Sequence, residues 1–254
     1  IEITFGMFTL EAQANTSIAI TGADLGATLN DKSIPPWQTY AIKKGDILAF
    51  HQPVWGLRAY LAVKGGVLCE PTLGSVATVM REKIGGLTSK GDKLKKGDSL
   101  SYHTSHDHQQ RAVPRLAIPN YGNKEIPVIL GYQYESFSSL ERANFFSSDY
   151  TVSSHSDRMG YRLEGKAVHT ELKGIISEGI AYGAIQIPKD GQPIVLLRDR
   201  QTIGGYPKMG CVTRVGGGIL AQQKPGDIIQ FTPITVDQAE QERHLQMARL
   251  AQWR

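Results

Sequence analysis

Three stretches share one pattern: Lys43-Lys44-Gly45-Asp46-Ile47-Leu48-Ala49-Phe50, Lys95-Lys96-Gly97-Asp98-Ser99-Leu100-Ser101-Tyr102 and Lys224-Pro225-Gly226-Asp227-Ile228-Ile229-Gln230-Phe231. In each, a Gly-Asp turn precedes a short β-prone run. Glycine supplies backbone angles that other residues reach only with strain, and the aspartate can bond the turn's own amides. The aromatic residue four places after the aspartate is suited to fill one face of a sheet. The copies are irregularly spaced, so they read as turn-plus-strand units and not as a solenoid.

Working outward, further strand-like runs lie at Ser17 to Thr21, Leu57 to Val63, Ile126 to Leu130, Ala181 to Ile187 and Ile194 to Leu197. They are short, β-rich and punctuated by Gly, Pro and Asp, the pattern of barrels or sandwiches. Helix is scarce. Ser138-Ser139-Leu140-Glu141 has capping-box spacing and predicts a short helix to about Phe146. Val236 to Trp253 reads as a terminal helix capped by Thr235, with Gln238 at its third position; its polar first half is expected either to be solvated or to dock on a partner. A polar stretch, His103 to Arg111, separates two β-rich halves. The expected architecture is all-β, with two barrel domains at 1–112 and 113–235 and a C-terminal helix at 236–254.

Bulk properties narrow the function classes. The chain has 254 residues, 41% hydrophobic and 20% charged, an ordinary globular balance. Net charge is +4 and the basic residues are dispersed; the nearest thing to a basic run, Lys90, Lys93, Lys95 and Lys96, is interrupted by Asp92 and Asp98. Nucleic-acid binding is not expected. Two cysteines, Cys69 and Cys211, argue against a disulfide framework and for a reducing, cytoplasmic setting. No apolar run is long enough to span a bilayer, and no secretory signal is recognisable. The chain opens at Ile1 directly in a strand-like run, so residues are expected upstream.

Chemistry is concentrated in three segments. The richest is Leu197-Arg198-Asp199-Arg200-Gln201-Thr202-Ile203-Gly204-Gly205-Tyr206-Pro207-Lys208, at the end of an apolar run. Its glycines let backbone amides approach a ligand, and its cations suit carboxylate or phosphate groups. A plain charged β-turn fits the composition equally well. The second runs from Ser153 to Gly165, where Arg158 and Arg162 are placed to clamp an anion or to pair with neighbouring acids such as Glu164. In the third, Ser177-Glu178-Gly179, Glu178 is a candidate base or amide-orienting group, or an arginine partner. His103, His106 and His108 surround Asp107, but their place in a linker without a nearby cysteine argues against a metal site. Gly216-Gly217-Gly218 lacks the Lys-Ser/Thr of a phosphate-binding loop, and there is no G-x-S-x-G elbow. Cys211 reads as a small buried strand residue, and Asp24 as a turn residue.

Ser156-Asp157-Arg158-Met159-Gly160-Tyr161-Arg162-Leu163-Glu164-Gly165, Ser177-Glu178-Gly179 and Asp199 to Lys208 together resemble the signature blocks of the biotin-dependent carboxyltransferase-like family. That family includes the C component of bacterial 5-oxoprolinase, allophanate hydrolase subunit 2 and the carboxyltransferase part of urea amidolyase. Thr21 to Asp24, Arg58 to Gly66 and Leu73 to Ser75 add to the resemblance, which runs from Ile1 to about Pro233. Two departures stand out. The family usually carries roughly fifty more residues ahead of Ile1, and the triple glycine replaces an acidic or apolar pair, which is expected to loosen that segment.

The resemblance implies two cyclophilin-like barrels and an ATP-dependent hydrolysis of 5-oxo-L-proline to L-glutamate. It implies a complex with two further proteins, a homologous barrel protein of the B type and a third protein of the A type. ATP and magnesium would act at the level of that complex. On that reading Glu178, Asp199 and Lys208 are the catalytic candidates. Arg158, Tyr161, Arg162, Ser177, Arg200, Gln201, Thr202, Gly204, Gly205 and Tyr206 are the substrate-binding candidates. Alternatives within the family are carboxyl transfer from carboxybiotin to urea or a similar amide, and a regulatory subunit that binds a kinase-inhibitor-like partner.

Overall fold

The structure, a computed structural model, describes residues 1–172 and 174–252. The chain divides into two units, one formed by Ile1–Val54 and Arg58–Val113, the other by Trp55–Leu57 and the residues from Pro114 onward.

The first unit carries β1 (Glu2–Thr4), β2 (Phe8–Glu11), β3 (Thr16–Asp24), β4 (Thr28–Leu29), β5 (Lys32–Ser33), β6 (Gln38–Ile42), β7 (Ile47–Phe50), most of β8 (Trp55–Val63), β9 (Val67–Leu68) and β10 (Ser101–Tyr102). Its described strands form two four-stranded sheets, ordered β1-β8-β3-β6 and β2-β7-β4-β5, and a β9-β10 ribbon. Ile18, Ile20, Leu25, Leu48, Phe50 and Leu61 pack between them as a core.

The second unit contains β11 (Glu125–Leu130), α1 (Ser139–Ser147), β12 (Tyr150–Val152), β13 (Gly160–Gly165), β14 (Glu178–Gly179), β15 (Ala184–Gln186), β16 (Ile194–Leu196), β17 (Ile203–Gly204), β18 (Lys208–Val212), α2 (Arg214–Leu220), β19 (Ile228–Ile234) and α3 (Val236–Ala251). Seven of its strands close into a barrel in the order β11-β18-β15-β16-β13-β12-β19, and β14 and β17 form a separate two-stranded ribbon. Closure is made by β19, parallel to β11 on one side and antiparallel to β12 on the other. Ile126, Val128, Phe145, Tyr150, Val195 and Phe231 fill the interior. The barrel expected twice is closed in this unit. Closure requires pairing on both sides of every strand, and the described strands of the first unit reach pairing as two sheets instead.

All three Gly-Asp turns form, and by the same bonds. Gly45, Gly97 and Gly226 take φ of 89°, 92° and 89°. Asp46, Asp98 and Asp227 each accept at 2.7 Å from the backbone N–H of the lysine three residues earlier. A positive φ at the third turn position defines a type II turn, which favours proline at the second position, where Pro225 stands. The aromatics that follow behave as expected at Phe50 and Phe231, both within the cores. Tyr102 sends its hydroxyl to the Ala14 carbonyl at 2.8 Å.

Both predicted helices are present. Ser138 caps α1 by accepting from Glu141 N, and Thr235 and Gln238 form a reciprocal capping box on α3. No residue of α3 is buried, and Trp253, expected to end it, lies outside the described residues. Among the described residues no helix is long and apolar enough to cross a membrane.

The triple glycine corrects one expectation. Gly216, Gly217 and Gly218 are not a loose segment but the body of α2, capped by Thr213, whose hydroxyl accepts from Gly216 N at 3.0 Å. Their lack of side chains lets α2 approach its neighbours. A Cβ on Gly216 would lie 2.8 Å from Cδ of Pro127, and one on Gly217 would lie 2.5 Å from the Tyr182 hydroxyl, whereas one on Gly218 meets nothing within 4 Å. Adjacent substitutions should therefore act in opposite directions. Gly218→Ala is expected to stabilise by about 0.5–1 kcal/mol through helix propensity, and Gly217→Ala to destabilise by about 1–3 kcal/mol through overpacking. Urea unfolding midpoints of the two variants check this; equal shifts of the same sign would remove the packing argument.

Candidate functional site

Lys208 opens β18, directly across from Gln186 on β15, where the pairing register shifts between Ile185 and Gln186. Such bulges re-aim side chains. The Lys208 side chain is 11% exposed, and its ammonium is met by the carboxylate of Glu178, itself 28% exposed, as an ion pair. An ammonium this far from water needs such a partner, because desolvation costs several kcal/mol. Glu178 sits on β14, whose ribbon partner β17 sets Glu178 against Gly204.

The carboxylate is held by more than the lysine. The Tyr132 hydroxyl donates to Glu178 Oε2, and Gln133 Nε2 donates to Oε1 at 3.0 Å. The other end of the Gln133 amide accepts from the backbone N–H of Lys208 at 2.8 Å. One side chain thus ties the carboxylate to the strand that carries its cation, and both ends of the amide are assigned by their partners.

Gln186 lies beside this pair. It is 2% exposed, and its Nε2 has no hydrogen-bond partner. Buried polar atoms are seldom left unpaired, and each such case calls for an explanation. The amide lies under β17: a Cβ on Gly204 would fall 2.7 Å from Gln186 Nε2 and 2.5 Å from Ile180 Cδ1. Glycine at 204 is what allows the ribbon to settle there.

The other predicted site residues are distributed unevenly. Gly205 lies by Ser177, whose hydroxyl would be 3.4 Å from a Cβ at 205, so both belong to the ribbon region of Glu178. Thr202 supplies the carbonyl that receives Ile180 N, and Thr202 and Tyr206 are exposed while Gln201 is half-buried. Arg158 is engaged: its Nε and Nη2 reach the two oxygens of Asp199 at 2.8 and 3.2 Å, a bidentate pair. The acid that Arg158 meets is thus Asp199 and not Glu164. Arg200 donates from Nε to the Ile180 carbonyl at 3.1 Å and from Nη1 to that of Leu197 at 3.3 Å.

Two expected substrate-binding residues lie elsewhere. Tyr161 is 1% exposed, part of the barrel core, with its hydroxyl 3.2 and 3.1 Å from the Ala221 and Gln223 carbonyls. Arg162, next along β13, points away from that core and is exposed. A strand sends successive side chains to opposite faces, so these two cannot share one site wall. Tyr132, Gln133 and Gln186 are not singled out by the sequence. The Gly131-Tyr132-Gln133-Tyr134 run after an apolar strand is the available signal.

Cys211 is half-buried and donates to the Tyr182 carbonyl at 3.1 Å; burial pushes its thiol above the usual range, which suits a strand residue and not a nucleophile. Around the histidines, Asp107 pairs with Lys64 at 2.8 Å and His108 Nδ1 lies 3.1 Å from Ser17 Oγ. Among the described residues no group of three or more His, Cys, Asp or Glu is placed to hold a metal ion. The first unit has an apolar cavity of about 790 Å³ lined by Phe8, Leu10, Ile18, Leu48 and Leu61; none of the candidate residues above faces it.

Removing one member of the Lys208–Glu178 pair should cost more than removing both. Glu178→Ala is expected to lower stability by about 3 kcal/mol by stranding the ammonium, and the double variant Glu178→Leu/Lys208→Met to recover most of that loss. Denaturant unfolding of the single and double variants measures the coupling. Additive losses would mean that the pair is solvated and not a buried unit.

The family described as carboxyltransferase domain, subdomain A and B, matches residues 1–233. The chain is 36% identical to the C component of 5-oxoprolinase from Escherichia coli K12, over its whole length and 82% of that protein. It is 34% identical to the corresponding 5-oxoprolinase component of Haemophilus influenzae, over 94% of this chain and 76% of that one. Among solved structures, Kluyveromyces lactis urea carboxylase superposes with a TM-score of 0.90 at 27% identity, covering the whole chain but spanning only 24% of that much longer protein. The chain belongs to the family of the carboxyltransferase domain, subdomain A and B.

Proposed function

We propose that this chain works within a 5-oxoprolinase complex that opens 5-oxo-L-proline to L-glutamate at the expense of ATP. The observation that carries the reading is the likeness, over most of their length, to two proteins named as the C component of 5-oxoprolinase. The partners would be the homologous B-type barrel protein and the A-type protein, in the cytoplasm. The polar, unburied α3 is a surface on which such a partner could rest.

A lactam is a stable amide. Transfer of the terminal phosphoryl group of ATP to its oxygen, with ADP leaving, would make the ring carbon open to attack by water. The ring C–N bond then breaks as the nitrogen takes up a proton, and hydrolysis of the resulting acyl phosphate gives glutamate and phosphate. The chain's own part is positioning and charge stabilisation. Lys208 would stabilise negative charge at the lactam oxygen or on the substrate carboxylate. Glu178, fixed by Tyr132 and Gln133, would hold the ring N–H or take a proton from the attacking water. The unpaired Nε2 of Gln186, with the Gly204 and Gly205 amides, would supply further donors at this ribbon. Asp199 would serve as an orienting group through Arg158. Magnesium would enter with ATP at the level of the complex, held by phosphate oxygens and one or two carboxylates, and no step is assigned to it in this chain.

The urea carboxylase superposition favours one second reading, carboxyl transfer from carboxybiotin to urea or a similar amide, with biotin carried by another protein. The deciding experiment is co-expression of the chain with its A-type and B-type partners. It is expected to yield ATP-dependent glutamate from 5-oxoproline, and Lys208→Ala is expected to slow turnover about a hundredfold. Urea-dependent loss of carboxybiotin without glutamate release would transfer the assignment to the second reading. Unchanged turnover in Lys208→Ala would remove Lys208 from it.

A further inference from the structure

Apart from the Lys208–Glu178 pair, the barrel carries a group of cations treated differently. Tyr182 is half-buried just ahead of β15, its ring set against α2 at Gly217. The Arg198 guanidinium lies over the same ring, 4.4 Å from the centroid. Arg200 is anchored through Nε and Nη1 to the Ile180 and Leu197 carbonyls. Arg214 is the exposed first residue of α2, the helix whose Gly217 faces the Tyr182 hydroxyl. Burial pushes the Tyr182 hydroxyl above its usual range, and the neighbouring arginine charges oppose that rise.

Among the described residues, none of these three arginines has a carboxylate within ion-pair distance, although Arg158 in the neighbouring segment takes up Asp199. Carbonyl and ring partners orient a guanidinium without neutralising it. Arg200 keeps its Nη2 donors, and Arg198 and Arg214 keep theirs. The three arginines therefore lie on elements that meet at Tyr182: Arg198 over its ring, Arg200 bonded to the carbonyl of Ile180 two residues ahead of it, and Arg214 on the helix whose Gly217 faces its hydroxyl. Like charges on neighbouring elements repel, and a bound anion would relieve that repulsion.

We infer that Arg198, Arg200 and Arg214 form an oxyanion site around Tyr182 that takes a phosphoryl group. A phosphoryl dianion is favoured over a single carboxylate by its charge and its number of oxygens. The open guanidinium forks of Arg198 and Arg214, with the remaining Nη2 of Arg200, exceed what one carboxylate can accept. The site uses none of the residues of the Lys208–Glu178 pair and stands whether or not the hydrolase reading holds.

The test is calorimetric titration of the full chain with pyrophosphate, inorganic phosphate and acetate at low salt. Pyrophosphate and phosphate are expected to saturate at about 1 mM or below, with acetate showing no saturation in the same range. Arg198→Ala and Arg214→Ala, both at exposed positions, are each expected to weaken pyrophosphate about tenfold with an unchanged unfolding midpoint, while Lys95→Ala in the first unit leaves it unaltered. Acetate binding as tight as phosphate would overturn the phosphoryl assignment. Pyrophosphate affinity that survives the Arg198→Ala/Arg214→Ala double variant, or that falls equally in Lys95→Ala, would overturn the site.

Discussion

The second unit depends on β19 being paired along both edges. Its parallel register with β11, from Glu125↔Gln230 to Ile129↔Ile234, and its antiparallel contact with β12 at Tyr150↔Ile229 leave that ring without a free edge. A closed ring fixes strand register, because a slip of one residue anywhere turns core side chains outward. That constraint reaches the candidate site through β11, whose Val128 to Leu130 pair with β18 from Val212 back to Gly210. Lys208 and Gln186 then face each other at one end of β18 and β15, and the irregularity beside Gln186 is confined between fixed neighbours. The Asp227 turn that launches β19 is consequently more than a connector: it sets where the closing strand begins.

Much of this is legible in the sequence, and for physical reasons. Gly-Asp turns and helix caps are local devices, decided by residues three or four apart, so all three turns and both capped helices can be read directly. What requires tertiary structure is the choice of face and the choice of partner. The run Tyr161-Arg162-Leu163-Glu164 alternates, but alternation alone does not say which face is the core. Here the tyrosine faces inward as a core residue and the arginine outward. Arg158 finds its acid 41 residues away at Asp199, and Glu178 its lysine 30 residues away at Lys208. Neighbourhood in sequence suggests Glu164 for the arginine, a residue pointing outward on β13.

The triple glycine shows the same limit from the other direction. Composition says that three glycines weaken a helix, and in isolation they would. In the fold, two of them mark close approaches, one to Pro127 and one to the Tyr182 ring. Pro127 lacks an N–H for a ladder, but its carbonyl still accepts from Thr213 N at 3.0 Å, so the strand gives up only one half of that pairing by carrying it. The cost in helix propensity is offset by contacts visible only once α2 is laid on the barrel.

Charge is handled in three ways in this unit, and the differences follow from burial. Lys208, almost removed from water, has a carboxylate fixed by two further donors, since an unpaired ammonium there would be prohibitive. Arg158, more exposed, has Asp199 in a bidentate pair whose value lies in orientation more than in stability. Arg198 and Arg200 are steadied by a ring and by carbonyls that leave their charge intact. Partners of the last kind leave the full charge available to something outside the chain, and the segment between the end of β16 and the start of β18 carries both Asp199, which neutralises Arg158, and Arg198 and Arg200, whose charge is left intact. A loop whose acid neutralises an arginine from another segment while its own arginines are merely oriented has its electrostatics arranged by position, which a charged turn serving only solvation would not need.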